Sequence, residues 1–340
     1  MKKRLKVYFT DFWDTFKLED NYFLNLIKNA YDVEIDPVNP DFLFYSNFGI
    51  NHYKYKCVRI YFTGENVRPD FNECDWAFSF DYSDDERNYR FPLYGLFADM
   101  NELTKPKDPE KLFLMKSEFC NFIYSNPGPK KRKELFLKLS QYKQVHSAGR
   151  YLNNIGGSIG GFEKEKREFI SRYKFTFAFE NSSYPGYTTE KLLDPLLCGS
   201  IPIYWGNKDV CRDFNPKSFI NYHDYENDED FINKIIEYDN VKQLYLEMLA
   251  EPAFKNNTIN EFVDKRNVLE KLKYIFSCDI VPVAEKSPLF SENKIVSNLW
   301  AAGTRLKYNS DLIRNKAALF SIDRVMVKAH KIKEKYFKKD

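Results

Sequence analysis

Residues 173–210, YKFTFAFENSSYPGYTTEKLLDPLLCGSIPIYWGNKDV, join an apolar segment, a polar turn, a helix-start signal and a second apolar segment in close succession. The first run, Phe175–Phe179, reads as a buried strand. Glu180 and Asn181 fall at its C-terminal end, where open α/β sheets place their ligands. Pro185 and Gly186 form a turn, and Thr188 or Thr189 caps a helix that begins near Glu190. Gly199 ends that helix ahead of a strand at Ile201–Trp205. Inside the helix, Pro195 either kinks it or starts a shorter one. The result is a β–loop–α–β unit with a polar, aromatic loop facing a ligand.

Similar units recur along the chain. Short apolar runs at Leu5–Phe9, Tyr31–Ile35, Phe42–Tyr45, Val58–Phe62 and Trp76–Phe80 are separated by Pro, Asn, Gly and Asp turns. An amphipathic helix carries Tyr22, Phe23, Leu26 and Ile27. This interleaving argues for an α/β layer architecture. Thr104–Lys111 reads as a polar, Pro-rich loop, Phe119–Tyr124 as a strand, Ser125–Tyr142 as a turn and helix, and Gln144–His146 as a last strand of this half. The glycine-rich run Gly149–Gly161 is taken as the domain boundary, dividing 1–155 from 156–278. Helices follow near Glu163–Arg172, Glu229–Tyr238, Val241–Leu249 and Phe262–Phe276. Periodicity alone does not separate two domains facing a cleft from one large doubly wound domain. Residues 279–340 read as an extended or wrapping segment followed by a basic helix from Ile313. That helix either packs on the body or lies on a membrane surface.

Composition narrows the function classes. With 43% hydrophobic and 30% charged residues the chain is globular rather than disordered. Its 24 Tyr exceed what a core needs and leave some for binding surfaces. A net charge of +3 gives no reason to expect a nucleic-acid partner, but its distribution is uneven. Arg314–Asp340 holds nine Lys or Arg against three Asp or Glu, which suggests attraction to an anionic surface such as the inner face of a membrane. The six cysteines show no CxxC spacing and read as free, buried thiols. The N-terminal apolar run is too short for a signal-peptide core, and no window reaches transmembrane length. The expectation is a soluble or peripheral cytoplasmic protein.

The common cofactor and hydrolase signatures are absent: there is no GxGxxG, Walker A, HExxH or GxSxG. The four histidines do not cluster with acidic residues, so a zinc site is not expected, and His223–Asp224 reads as a solvated loop. In YFTGENVRPD, a strand delivers Glu65 to its C-terminal end beside Gly64. Glu65 is either a turn carboxylate or, if burial raises its pKa, a general base. Phe12 and Trp13 suit sugar stacking or a loop core equally, and Trp205 reads as structural.

FTGEN at Phe62–Asn66 resembles a motif of glycosyltransferase family ten, the α-1,3/1,4-fucosyltransferases. So do VYFTDFWDTF from Val7, SNPGPKKRKELF from Ser125, SAGRYLNNIGG from Ser147, and DFNPKSFINYHD from Asp213. The strongest resemblance is FENSSYPGYTTEKLLDPLLCGSIPIYWG, from Phe179 to Gly206. All these segments occur in family order. The resemblance implies two Rossmann-like domains facing a cleft, of GT-B type, and inverting transfer of L-fucose from GDP-β-L-fucose to N-acetylglucosamine in N-acetyllactosamine-type glycans, most readily α-1,3. It implies Glu65 as catalytic base and Arg132 as the arginine of the donor diphosphate, with Lys130 or Lys131 replacing it if the register shifts. Asn181, Tyr187 and Lys191 fall around the nucleotide, and Glu190 falls at the donor sugar. Glu190 is also explained locally, as a carboxylate at a helix N-terminus. No cofactor is implied, and a divalent cation would at most stimulate by screening the diphosphate. Two other readings stay open: a different sugar-nucleotide transferase, and a non-catalytic glycan-binding protein held peripherally by its tail.

Overall fold

Two parallel sheets organise the chain. The computed structural model describes residues 2–97, 99–159 and 163–286, and the structural statements below concern these. The basic segment Arg314–Asp340 and most of the expected wrapping segment lie outside them.

The first sheet is built from β1 (Arg4–Thr10), β2 (Asp32–Ile35), β3 (Phe42–Tyr45), β4 (Val58–Phe62), β5 (Trp76–Ser79) and β6 (Asn88–Arg90) in the order β2-β1-β3-β4-β5-β6. The second contains β7 (Glu118–Phe122), β8 (Val145–Ser147), β9 (Tyr173–Phe179), β10 (Ile201–Trp205) and β11 (Ile220–Asn221) in the order β11-β10-β9-β7-β8. Every pairing is parallel, with Val7 opposite Phe42 and Ile203 opposite Phe177. Parallel strands are covered on both faces, so they read as continuous apolar runs. FLFY in β3 and WAFS in β5 are buried at every position.

The helices are α1 (Tyr22–Lys28), α2 (Pro109–Leu114), α3 (Lys130–Tyr142), α4 (Glu163–Ser171), α5 (Glu190–Leu197), α6 (Asp228–Asn240), α7 (Lys242–Ala250), α8 (Lys265–Ser277) and α9 (Val283–Lys286). The second sheet's core joins Phe175, Phe177 and Ile203 to Leu135 of α3, Ile235 of α6 and Leu249 of α7. The larger core joins Val7, Phe44, Ile60 and Phe78 of the first sheet to Leu24 of α1 and Leu272 of α8. It also takes in Leu192, Leu193 and Leu196 of α5. Helix α5 follows a strand of the second sheet, yet its apolar face is buried in the first core.

Several expectations change. The glycine run at 149–161 follows the edge strand β8, and the switch between sheets lies earlier, between Arg90 and Glu118. Strands β7 and β8 precede the glycines but pair within the second sheet, so the division at 155/156 is not where the sheets divide. Helix α8, assigned to the second part, packs in the first core. The expected loop 104–111 ends in α2, where Asp108 caps Lys111 N and Pro109 occupies the first turn. Helix α5 runs through Pro195. All six cysteines are unpaired; Cys74 and Cys120 are buried and the other four half-buried. At the start of the wrapping segment, Val283 N donates to Asp75 Oδ1 at 2.7 Å, tying α9 to the first sheet.

A buried ion pair fastens the two parts. Arg90 Nη2 at the end of β6 meets Asp213 Oδ2 beyond β10 at 2.5 Å, and the guanidinium lies over the rings of Tyr82 and Phe262. Removing the carboxylate would strand a buried cation. Asp213→Ala is expected to cost about 3 kcal/mol in urea-induced unfolding, with Asp213→Asn recovering part of it.

Candidate active site

The strand ends that face each other across the two sheets carry the expected residues. A cavity of about 350 Å³ is lined from the first sheet by Trp13, Phe48, Gly64, Glu65, Leu93 and Phe97. From the second part it is lined by Asn181, Tyr187, Thr189, Glu190 and Lys191. A larger groove of about 570 Å³ at the β2 edge, by Lys2, Lys28 and Tyr31, holds none of the expected residues.

Glu65 sits in a tight turn after β4. Thr63 Oγ1 donates to Glu65 O at 2.8 Å, and Val67 N donates to the same oxygen at 2.7 Å. Gly64 lets the Leu93 side chain close on the turn, since a Cβ would come within 2.8 Å of Leu93 Cδ1. The turn aims the half-buried Glu65 carboxyl into the cavity. Burial raises its pKa, and nearby Glu190 adds to the rise while Lys191 opposes it.

Opposite lies the start of α5. Thr189 is its N-cap, and Thr188 instead accepts from Asn207 Nδ2 at 3.2 Å. Beneath the cap is Glu180, a fully buried carboxylate at the end of β9. Its two oxygens accept Thr189 N and Thr189 Oγ1, each at 2.7 Å. Lys191 Nζ stands 3.5 Å from Glu180, 3.3 Å from Glu190 and 3.1 Å from Thr189 Oγ1. Burial would weaken the Lys191 charge, but Glu190 and Glu180 more than compensate and raise its pKa. For Glu190, burial pushes upward, but Lys191, Lys166 and the helix backbone win and hold it at about 2. Glu180 is pushed upward by burial against the pull of Lys191. Tyr187 is buried, its ring 5.2 Å from Phe80 at a steep angle.

The structure therefore brings Glu65, Asn181, Tyr187, Glu190 and Lys191 together around one cavity. Arg132 stands behind it, fully buried, with its guanidinium 3.9 Å over the Tyr124 ring. One of its nitrogens donates to Phe179 O, Glu180 O and Asn181 Oδ1 at 2.8, 2.9 and 3.1 Å. Arg132 does not itself line the cavity, and its neighbours Lys130 and Lys131 pair with Glu134 and Asp228. Glu180 was noted in the sequence only as a strand-end residue. The signal for its role was an acidic residue nine positions before an N-cap threonine. Asn66 Nδ2 bridges to Ser182 Oγ at 2.9 Å, linking the two loops at the cavity edge. Trp205 does not line the cavity. Among the described residues no group of three or more His, Cys, Asp or Glu converges to hold a metal ion.

Comparison with known proteins places this geometry. Residues 7–97 match the family model of the α-(1,3)-fucosyltransferase FucT N-terminal domain, and residues 114–263 match the C-terminal model of glycosyltransferase family 10 (fucosyltransferase). The α-(1,3)-fucosyltransferase FucT of Helicobacter pylori is 33% identical over 249 residues, covering 64% of this chain and 50% of that protein. A putative fucosyltransferase of Acanthamoeba polyphaga mimivirus is 34% identical over 169 residues, covering 47% of this chain and 28% of its own length. This chain thus spans half or less of the length of these relatives. A crystal structure of an α1,3-fucosyltransferase with GDP-fucose superposes with a TM-score of 0.67 at 27% identity, covering 83% of this chain and 93% of that one. The same comparison with a GDP complex gives 0.68 at 28% identity, covering 82% and 92%. The bilobed arrangement of two parallel sheets is GT-B-like, as in these structures. The chain belongs to glycosyltransferase family 10, the fucosyltransferases.

Proposed function

We propose that this protein transfers L-fucose from GDP-β-L-fucose, with inversion, to a hydroxyl of N-acetylglucosamine in N-acetyllactosamine-type glycans, forming an α-1,3 linkage. One observation carries the reading: two carboxyls with opposite pKa displacements, Glu65 raised and Glu190 lowered, line one cavity with a lysine. Carboxyls driven apart in this way divide acid–base and electrostatic roles between them. Related structures bind GDP and GDP-fucose, which supports the donor.

The transfer is a single displacement. The acceptor oxygen attacks the anomeric carbon from the face opposite GDP, the bond to the diphosphate oxygen breaks, and Glu65 takes the acceptor proton. Fucose gains oxocarbenium character as the diphosphate gains negative charge. Glu190, ionised throughout the neutral range, stabilises the first. Lys191, held protonated by its carboxylate neighbours, stabilises the second. Asn181 and Tyr187 position the nucleotide, and Arg132 fixes Asn181 from behind while adding positive charge on the phosphate side.

We place the protein in the cytoplasm, with the basic segment 314–340 drawing it to the inner face of the membrane. Its charge supports this reading, since each basic residue near an anionic surface contributes about 1 kcal/mol.

Three outcomes test this. In assays with GDP-fucose and N-acetyllactosamine, kcat/KM should rise with pH as Glu65 loses its proton, with the midpoint above the ordinary carboxylate range. Glu65→Gln should lower kcat by about 10²–10⁴-fold and abolish that limb while GDP binding persists. Fucose transfer by this variant with an unaltered pH profile would refute the base. Lys191→Met should weaken GDP-fucose binding by calorimetry about 10- to 100-fold, the loss of a charged hydrogen bond, with a cooperative melt retained. In co-sedimentation, the protein should bind phosphatidylserine vesicles over phosphatidylcholine ones at low salt. Lys331→Gln, Lys333→Gln and Lys335→Gln combined should weaken that preference, and equal partitioning would exclude the membrane reading.

A further inference from the structure

The cavity has a second wall, which the chemistry above does not use. Facing the charged residues are Trp13 and Phe48, with rings 6.2 Å apart at 76°. Phe12 and Phe16 stack on one another at 4.0 Å and meet Trp13 edge-on, at 5.7 and 5.4 Å. Trp13 is thus gripped by three rings set steeply to its own. Phe12, the other aromatic of the FWD loop, packs inward near Phe62 and Phe9.

A buried carboxylate fixes this wall. Asp11 adopts φ of 59°, in the left-handed region. Its Oδ1 accepts Asn51 N at 2.9 Å and Asn51 Nδ2 at 3.1 Å, and its Oδ2 accepts His52 N and Nδ1, both at 2.8 Å. Its backbone oxygen accepts Phe48 N at 3.0 Å. The His52 ring stacks 4.1 Å from Tyr45. The approach is so close that a Cβ on Gly49 would lie 2.3 Å from Asp11 Oδ1. One residue therefore sets Trp13, two positions along the chain, and Phe48, to which it is bonded directly.

We propose that Trp13 and Phe48 form the platform for the acceptor pyranose and that Asp11 is its positioning residue; this rests on the transfer reading above. The nucleotide sugar takes the charged wall at Asn181, Glu190 and Lys191. The acceptor hydroxyl must come within about 2.6–3.2 Å of Glu65. An acceptor ring meeting both conditions lies against the aromatic wall. The axial C–H face of a galactose or N-acetylglucosamine ring suits an indole, through dispersion and the negative face of the ring. A rigid wall loses little freedom on binding, which is what the Asp11 bonds secure.

Steady-state kinetics of the full chain decides it. Trp13→Ala should raise the acceptor KM about tenfold, leaving the GDP-fucose KM and the slow hydrolysis of GDP-fucose without acceptor unchanged. Trp13→Phe should restore most of the loss, and Phe48→Ala should reproduce it in part. Asp11→Asn should shift the acceptor KM in the same direction without altering donor affinity. An unchanged acceptor KM in Trp13→Ala, or an equal rise for donor and acceptor, overturns the platform. Should the wild-type protein fail to consume GDP-fucose, the transfer reading falls, and saturation-transfer NMR with N-acetyllactosamine decides the platform alone. Binding that Trp13→Ala abolishes upholds it, and no wild-type binding overturns it.

Discussion

The active wall depends on one buried carboxylate. Glu180 ends β9 without solvent contact and is held by two 2.7 Å hydrogen bonds from Thr189 and by the Lys191 charge. Burying an unpaired carboxylate is costly, and these partners offset that cost, the two Thr189 hydrogen bonds most directly. The bonds close the loop between β9 and α5 and fix the first turn of the helix. They set where Glu190 and Lys191 stand before any substrate arrives. Arg132 reinforces the same junction by binding the carbonyls of Phe179 and Glu180.

From this knot follows the charge distribution of the cavity. Three carboxyls share one lysine, and their protonation differs because their surroundings differ. Glu190 has Lys191, Lys166 and a helix start beside it and stays ionised. Glu65, across the cavity and on a turn lacking comparable partners in its pKa balance, feels mainly desolvation. The same side chain is thus held ionised on one wall and pushed toward its protonated form on the other.

Much of this was legible in the sequence, for physical reasons. Parallel strands are apolar throughout, so β3, β4, β5, β9 and β10 announced themselves within a residue or so. The N-cap at Thr189 and the glycine turn before Glu65 are local chemistry and were readable as such. What periodicity could not give was which sheet a strand joins. Strands β7 and β8 look like the end of a first half, and only the pairing of β7 with β9, and of β8 with β7, shows otherwise. Helix α8 is amphipathic wherever it packs, so its return to α1 left no local trace. Asp108 before Pro109 is a helix-start signal of only two residues, which the polar, Pro-rich surroundings mask. Glu180, Arg132 and Asp11 gain their roles from partners 9 to 49 positions away, mostly beyond the reach of a local pattern.

Helix α5 has a further consequence. Its first turn places Glu190 and Lys191 on the cavity, while Leu192, Leu193 and Leu196 fill the core beneath the opposite sheet. The charge lining the cavity and the packing of the core are therefore carried by the same eight residues. The second sheet keeps a core of its own, but the first is completed by α5, so this helix acts as a keystone between the two. Loops that line the cavity can therefore change singly, whereas α5 is bound to change only in step with the interior it fills.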